Sequence, residues 1–365
     1  MPPSGRWVIA GAEELEMART AQIHLRSAAG GSLFRWGNTS AQPLPPLESR
    51  TWEWQQPDCP LRHFDALDFC RFLNRTVNAS LLVVGDSTSD LFATTLVTML
   101  GNSSGPVKSV NASRTLQGRK TYRVCRRGRI EFVRNDVLDI KTEYAGPAVF
   151  AGRGQRCGDE YKSARQRTDG HVCNAWTDRL MGFDVVVLNT GAHGIEQPGV
   201  RERAARRTAA NVAASVRPGT HLLFRNTAIG HPNCSSNRLS APLGSVDLAH
   251  AQLSAAPQET RYDWLEYAER NAILEPIFRR AGFRVVDVYN ASALRADSHS
   301  YTDCLHYLVP GPSLHWVRVF WDELLRSAGR DADQDCGSTT GPRDARGWTG
   351  RAAATRMDQV RGYLA

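Results

Sequence analysis

The sequence predicts an α/β protein: a three-layer α/β/α sandwich around a central parallel sheet, decorated by long loops that carry cysteines. Two apolar runs and the rhythm of the chain predict it. Leu81-Leu82-Val83-Val84 and Asp184-Val185-Val186-Val187-Leu188 are short and almost wholly apolar, as strands buried on both faces of a parallel sheet are. Between and after such runs come segments of helical period, and strands alternating with helices imply a parallel sheet covered on both sides.

Taken in order, residues 1–50 are rich in Gly, Ser, Ala and Pro and read as an irregular lead-in. Phe64, Leu67, Phe69 and Leu73 recur at helical spacing, so Phe64–Leu73 is a short helix. Leu81–Val84 is a strand, Leu91–Leu100 the helix after it, and Ile130–Val133 another strand. Residues 150–178 are polar, glycine-rich and cysteine-bracketed, the signature of an inserted loop. Asp184–Leu188 is a strand, Arg201–Val216 a helix and His221–Phe224 the next strand. Residues 230–258 have no clear period and read as a long excursion, a form that tends to carry function. Tyr262–Ala281 is amphipathic and closed by Gly282, Arg284–Tyr289 is a strand, and Leu314–Leu325 is the last helix. One domain is expected over 51–327, with a disordered tail over 328–365.

The chain has 365 residues and a net charge of +8, carried almost entirely by arginine, since lysine occurs only at 108, 120, 141 and 162. This balance suits a solvated surface or attraction to acidic glycans. No basic stripe is interleaved with aromatics, so nucleic acid is not an expected partner. Eight widely spaced cysteines without a CxxC pair argue for disulfides and against a zinc site. Their connectivity is open, with Cys157 and Cys173 the best candidates for a local bridge. Seven Asn-x-Ser/Thr sequons, at Asn38, Asn74, Asn78, Asn102, Asn111, Asn233 and Asn290, point the same way, to the Golgi lumen or the extracellular space. The opening residues are not a signal peptide, and no run reaches the roughly 18 apolar residues of a membrane span. A luminal chain would therefore take its leader or anchor from elsewhere.

Gly85-Asp86-Ser87 follows the first apolar strand and precedes a helix. Ligands of such sheets bind beyond the carboxyl ends of the strands, and a helix start there offers free N–H groups. Asp303-Cys304-Leu305-His306 lies between the last strand and the last helix, on the same rim. Ser87 is the candidate nucleophile, His306 the base and Asp303 the group that orients it. The strand Asp184–Leu188 runs into Asn189-Thr190-Gly191, so the Ser87 N–H, the Asn189 amide and the Gly191 N–H are candidate oxyanion donors. Asp86, His193, Arg225 and Asn226 stand at the same strand ends as candidate substrate-binding residues. His193, His231 and His315 rank below His306 as bases, because His306 alone has an acid at a local, orienting spacing. Each motif alone has a bland reading: Asp86 or Ser87 as a helix cap, Asn189 as a turn residue, Trp52 and Trp54 as core packing before sugar stacking.

Together the motifs resemble the SGNH/GDSL hydrolase superfamily, and within it the PC-esterase group that includes the plant trichome-birefringence-like polysaccharide O-acetyltransferases. Trp52-Glu53-Trp54-Gln55-Gln56-Pro57-Asp58-Cys59 with Arg62-His63-Phe64-Asp65-Ala66 is similar to that group's WRWQP…C…RFDA segment. Val84-Gly85-Asp86-Ser87 is similar to its VGDS, Val187–His193 to its FNTG-x-H, and Phe224–Thr227 to its FRT segment. Asp303–Tyr307 with Pro310-Gly311 and Trp321 is similar to its DCxHWCLPG…W. The likeness runs in order from Trp52 to Leu325. This chain departs from it in having Ser89-Asp90 where the plant enzymes have Arg-Asn, Tyr307 for the tryptophan, and Leu308 near the place of the following cysteine. The resemblance implies a flavodoxin-like sandwich and an acetyl-enzyme on Ser87, fed by acetyl-CoA or another acetylated donor as co-substrate, with no permanently bound cofactor. The acceptor would be a polysaccharide hydroxyl, or water in an acetylesterase. A catalytically silent glycan-binding protein on the same fold is the rival from another class, and it has no need of Ser87, Asp303 and His306 together.

Overall fold

The computed structural model describes residues 5–11, 15, 52–55, 61–101, 108–110, 119–136, 138, 142–144, 171–173, 176–193, 198–234, 241–256, 263–300 and 303–329. The strands are β1 (Arg6–Ile9), β2 (Trp52–Gln55), β3 (Ser80–Gly85), β4 (Lys108–Val110), β5 (Arg119–Val124) and β6 (Gly128–Arg134). They continue with β7 (Thr142–Tyr144), β8 (His171–Cys173), β9 (Val185–Leu188), β10 (His221–Arg225), β11 (Arg284–Val286), β12 (His299–Ser300) and β13 (Asp303–Tyr307). The helices are α1 (Ala66–Arg75), α2 (Ser87–Leu100), α3 (Pro198–Ser215), α4 (Val246–Ala255), α5 (Tyr267–Arg280), α6 (Tyr289–Ala293) and α7 (Pro312–Ser327).

Seven strands form the main sheet in the order β11-β10-β9-β3-β6-β5-β4. Strands β11, β10, β9, β3 and β6 are parallel to one another. The expected wholly parallel sheet is therefore corrected to a mixed one, because β5 runs antiparallel to β6 and β4 antiparallel to β5. The cause is local. Cys125 and Arg126 have φ of 55° and 65°, and this left-handed pair closes a tight hairpin between β5 and β6.

The pleat of β3 sends successive side chains to opposite sides. Leu81 and Val83 pack with Phe69 of α1, Phe92 of α2 and Phe320 of α7. Leu82 and Val84 pack with Val212 of α3 and Leu274 and Phe278 of α5. Helices thus flank both faces of the sheet. Every residue of α2 is buried. Its threonines remain satisfied because Thr95 and Thr98 donate to the carbonyls of Leu91 and Thr94. Among the described residues two disulfides join distant segments: Cys70–Cys125 ties α1 to the β5–β6 turn, and Cys234–Cys304 ties the loop after β10 to β13.

Three further readings change. Within the expected lead-in, Arg6–Ile9 is a strand, paired antiparallel with Trp52–Gln55. Within the expected excursion, Ser245 caps α4 by accepting from the Leu248 N–H, and only Ala249 and Leu253 of that helix are buried, which leaves little periodic signal. The strand expected over Arg284–Tyr289 stops at Val286, because Asn226 Oδ1 takes the Val288 N–H and Asp287 that of Tyr289. The Cys157–Cys173 bridge, most of the 150–178 loop and the tail from 330 lie outside the described residues. No helix among the described residues is long and apolar enough to cross a membrane.

Candidate active site

Strand β3 delivers the chain to the N-terminus of α2. Asp86 caps that helix, accepting from the Thr88 N–H at 2.8 Å and from the Thr88 hydroxyl at 2.6 Å. Ser87 is the first helical residue. The N–H groups of Ser89 and Asp90 both bond the Asp86 carbonyl, whereas no hydrogen bond among the described residues uses the Ser87 N–H. Gly85 is required by close packing. A Cβ there would lie 2.3 Å from Ser89 Oγ and 2.9 Å from the Asn189 carbonyl oxygen. Close approach of β3, α2 and the end of β9 demands glycine.

Strand β13 brings His306 to this helix start from 219 residues away, with Nε2 2.7 Å from Ser87 Oγ. Both side chains are buried, Ser87 at 4 % exposure and His306 at 7 %. In the neutral imidazole the serine O–H donates to Nε2, the arrangement of a nucleophile beside its general base. Three restraints hold β13: the disulfide at Cys304, the His231 N–H donating to the Cys304 carbonyl at 2.9 Å, and the Leu308 N–H donating to Ser298 at 2.7 Å. Asp303 opens β13, three residues before His306, and its side chain lies outside the described residues.

No family model and no curated protein matches this chain.

Several rim candidates prove to be braces. Asn189 donates to the Arg225 carbonyl and to Thr227 Oγ1, both at 3.0 Å, and its Oδ1 accepts from Ser89 Oγ at 3.0 Å. Both amide hydrogens are spent inside the protein, so the expected side-chain oxyanion donor is corrected to a clamp between β9, β10 and α2. Gly191 has φ of +138°, a Cβ there would meet Thr227 Oγ1 at 2.7 Å, and its carbonyl accepts from Arg270 at 3.0 Å. Asp86 is fully buried beneath Ser87. Arg225 is buried too, donating to Thr88 Oγ1 at 2.7 Å and Ser89 Oγ at 3.2 Å, with its guanidinium over the Trp316 ring. Burial pulls Arg225 down to about 10, Asp86 opposing, so the group remains a cation at neutral pH. Asn226 donates to Glu275 at 2.9 Å and Asp287 at 2.7 Å and accepts from the Val288 N–H. Asp86, Arg225 and Asn226 are therefore corrected from substrate contacts to supports, because the strand ends they occupy have their own polar groups to satisfy. His193 alone of these candidates keeps exposure, 20 % of its side chain, with Nε2 3.7 Å from Asp136.

The other histidines fit poorly as bases. Burial lowers His231 to about 4, and burial with Arg318 and Arg295 lowers His315 to about 3. Trp54 packs edge-on against Trp7, with His315 alongside, in a satellite core, so packing is the role seen for it.

Some contributors were not found from sequence. Lys120 holds both carboxylate oxygens of Asp90 at 2.7 Å and so anchors the first turn of α2. Tyr267 donates to the Ala192 carbonyl at 2.7 Å, and Asn271 bonds both the N–H and the carbonyl of Thr227 at 2.9 Å. Tyr267, Arg270, Asn271 and Leu274 occupy i, i+3, i+4 and i+7 of α5. Polar groups on the buried stripe of an amphipathic helix are a readable signal of such bracing.

Proposed function

We propose that this chain is a serine-dependent acetyltransferase acting on hydroxyls of a polysaccharide, a divergent member of the PC-esterase group of SGNH/GDSL hydrolases. The Ser87–His306 contact of 2.7 Å carries the reading. Supporting it, the five parallel strands, numbered in chain order, have the order 2-1-3-4-5 of flavodoxin-like sandwiches, and Ser87 stands at the carboxyl end of the first. The two disulfides, the sequons and the exposed side chain of Asn78 favour a luminal or secreted location.

In the first half-reaction Ser87 Oγ attacks the donor's acetyl carbonyl while His306 Nε2 takes the serine proton. The oxyanion forms beside the start of α2, where the Ser87 N–H, joined by the Gly191 N–H, stabilises it. The tetrahedral species collapses, the donor's leaving group departs with the proton from His306, and Ser87 is left acetylated. In the second half-reaction His306 takes the proton of an acceptor hydroxyl, that oxygen attacks the ester, and the proton returns to Ser87. Asp303 serves to fix the imidazole and stabilise its cation. The acetyl donor is acetyl-CoA or another acetylated compound.

The test is discharge of the acetylated protein. An adduct on Ser87 that is released rapidly by an oligosaccharide and slowly by water supports the transferase. Rapid release by water makes the protein an acetylesterase. No adduct on Ser87 overturns both.

A further inference from the structure

Two histidines beside β13 take no part in these steps. His231 Nδ1 lies 2.7 Å from His299 Nε2. The other nitrogen of His231 lies 2.8 Å from the Ala293 carbonyl oxygen, and His299 Nδ1 lies 3.1 Å from the carbonyl oxygen of His306. Both rings are buried.

The protons can be counted. A carbonyl oxygen only accepts, so each outer nitrogen needs a hydrogen, and the two inner nitrogens share one. Three hydrogens must sit on two rings, whereas two neutral imidazoles bear only two. Three hydrogen bonds in this row therefore require one imidazolium. His231 is the poorer home for the charge, since burial drives it to about 4 although Ala293 and Asp297 oppose this. The surroundings of His299 suit a cation. Both its nitrogens face acceptors, and its ring stacks on Tyr307 with centroids 4.2 Å apart.

Of the charged groups around the pair, Asp297 favours a cation, and Arg295, which bonds it at 2.8 and 2.9 Å, opposes one. Tyr307 is buried, its phenol pushed well above its ordinary value, and it donates to the Ile229 carbonyl at 2.6 Å. The Cys304 carbonyl is taken by the backbone N–H of His231.

We propose that His299 is an imidazolium which, backed by neutral His231, grips the His306 carbonyl and so positions the base against Ser87. The two residues are positioning residues, and this role rests on the reading of His306 as the base.

The experiment uses the full chain with ¹⁵N-labelled histidine. At about pH 7.5, above the ordinary histidine value, one doubly protonated ring should couple through an N–H···N bond to a neutral ring. In His299→Phe, which keeps an aromatic ring on Tyr307, that signal should vanish. Burst release of p-nitrophenol from p-nitrophenyl acetate should slow on the order of 10²-fold at saturating donor, with KM changed less than about twofold, as for a misplaced catalytic group. Only neutral rings in the wild-type spectrum would overturn the proposal, and that measurement needs no variant. A wild-type burst rate in His299→Phe would overturn the positioning role. If wild-type Ser87 is never acylated yet the coupled imidazolium is present, the charged pair stands and the acyl-transfer reading fails.

Discussion

Replacing Gly85 by alanine tests how tightly the helix that begins at Ser87 is set against the sheet. The new methyl would lie 2.3 Å from Ser89 Oγ and 2.9 Å from the Asn189 carbonyl oxygen. Ser89 can rotate away, but only by giving up its 3.0 Å bond to Asn189 Oδ1, a loss of about 1 kcal/mol. The Asn189 carbonyl is main chain, so relieving that contact shifts the end of β9, where the Asn189 N–H is bonded to Val84 at 3.0 Å. Backbone displacement of that kind costs about 2 kcal/mol. The sum is about 3 kcal/mol, on the order of a hundredfold in the ratio of folded to unfolded protein. Urea unfolding at neutral pH measures it. Adding Ser89→Ala should recover only part of the loss, since the contact with Asn189 remains. A Gly85→Ala protein within about 0.5 kcal/mol of the parent, the range of an ordinary surface change, would refute the close-approach argument.

Arg225→Met should cost about 1–3 kcal/mol in urea unfolding, because it takes the guanidinium donor from the buried Thr88 and Ser89 hydroxyls and the cation from beside buried Asp86; adding Asp86→Asn, which still caps the helix, should recover part of it. Asp184 is pushed up by burial, but hydrogen bonds from Ser80, Thr76, Arg217 and Asn78 outweigh this and hold it below its ordinary 3.8. Its contribution to stability is then full above that ordinary value and disappears as pH falls through the folded one. Asp184→Asn should flatten that acid limb in a plot of unfolding free energy against pH. Replacing Cys234 and Cys304 by serine opens a loop of 70 residues and should cost about 4 kcal/mol, read by urea unfolding. The burst rate should fall with it, since β13 carries His306.

The parallel part of the sheet was legible because Leu81–Val84, Asp184–Leu188 and His221–Phe224 are apolar enough to be buried on both faces. The β4–β5 edge was not, because Arg119-Lys120-Thr121-Tyr122-Arg123 alternates weakly and its turn uses Cys125 and Arg126 at positive φ rather than glycine. The pairing of Ser87 with His306 was legible from an acid three residues before a histidine, on the strand-end rim that also holds the serine. The fates of Asp86, Asn189, Arg225 and Asn226 were not. A strand-end position says where a residue stands, not whether its polar atoms face the cleft or meet a buried demand. Here a helix cap, a β9–β10 clamp and the Val288 N–H consume them.

The central claim is that Ser87 is acylated with His306 as its base. The direct measurement is the rate at which the Ser87 peptide gains one acetyl group from p-nitrophenyl acetate, by mass spectrometry, in the parent and in His306→Gln. An adduct confined to Ser87 is expected, forming slower in the variant by on the order of 10²–10⁴-fold. Equal rates in the two proteins, or acetyl groups on lysines alone, would contradict it.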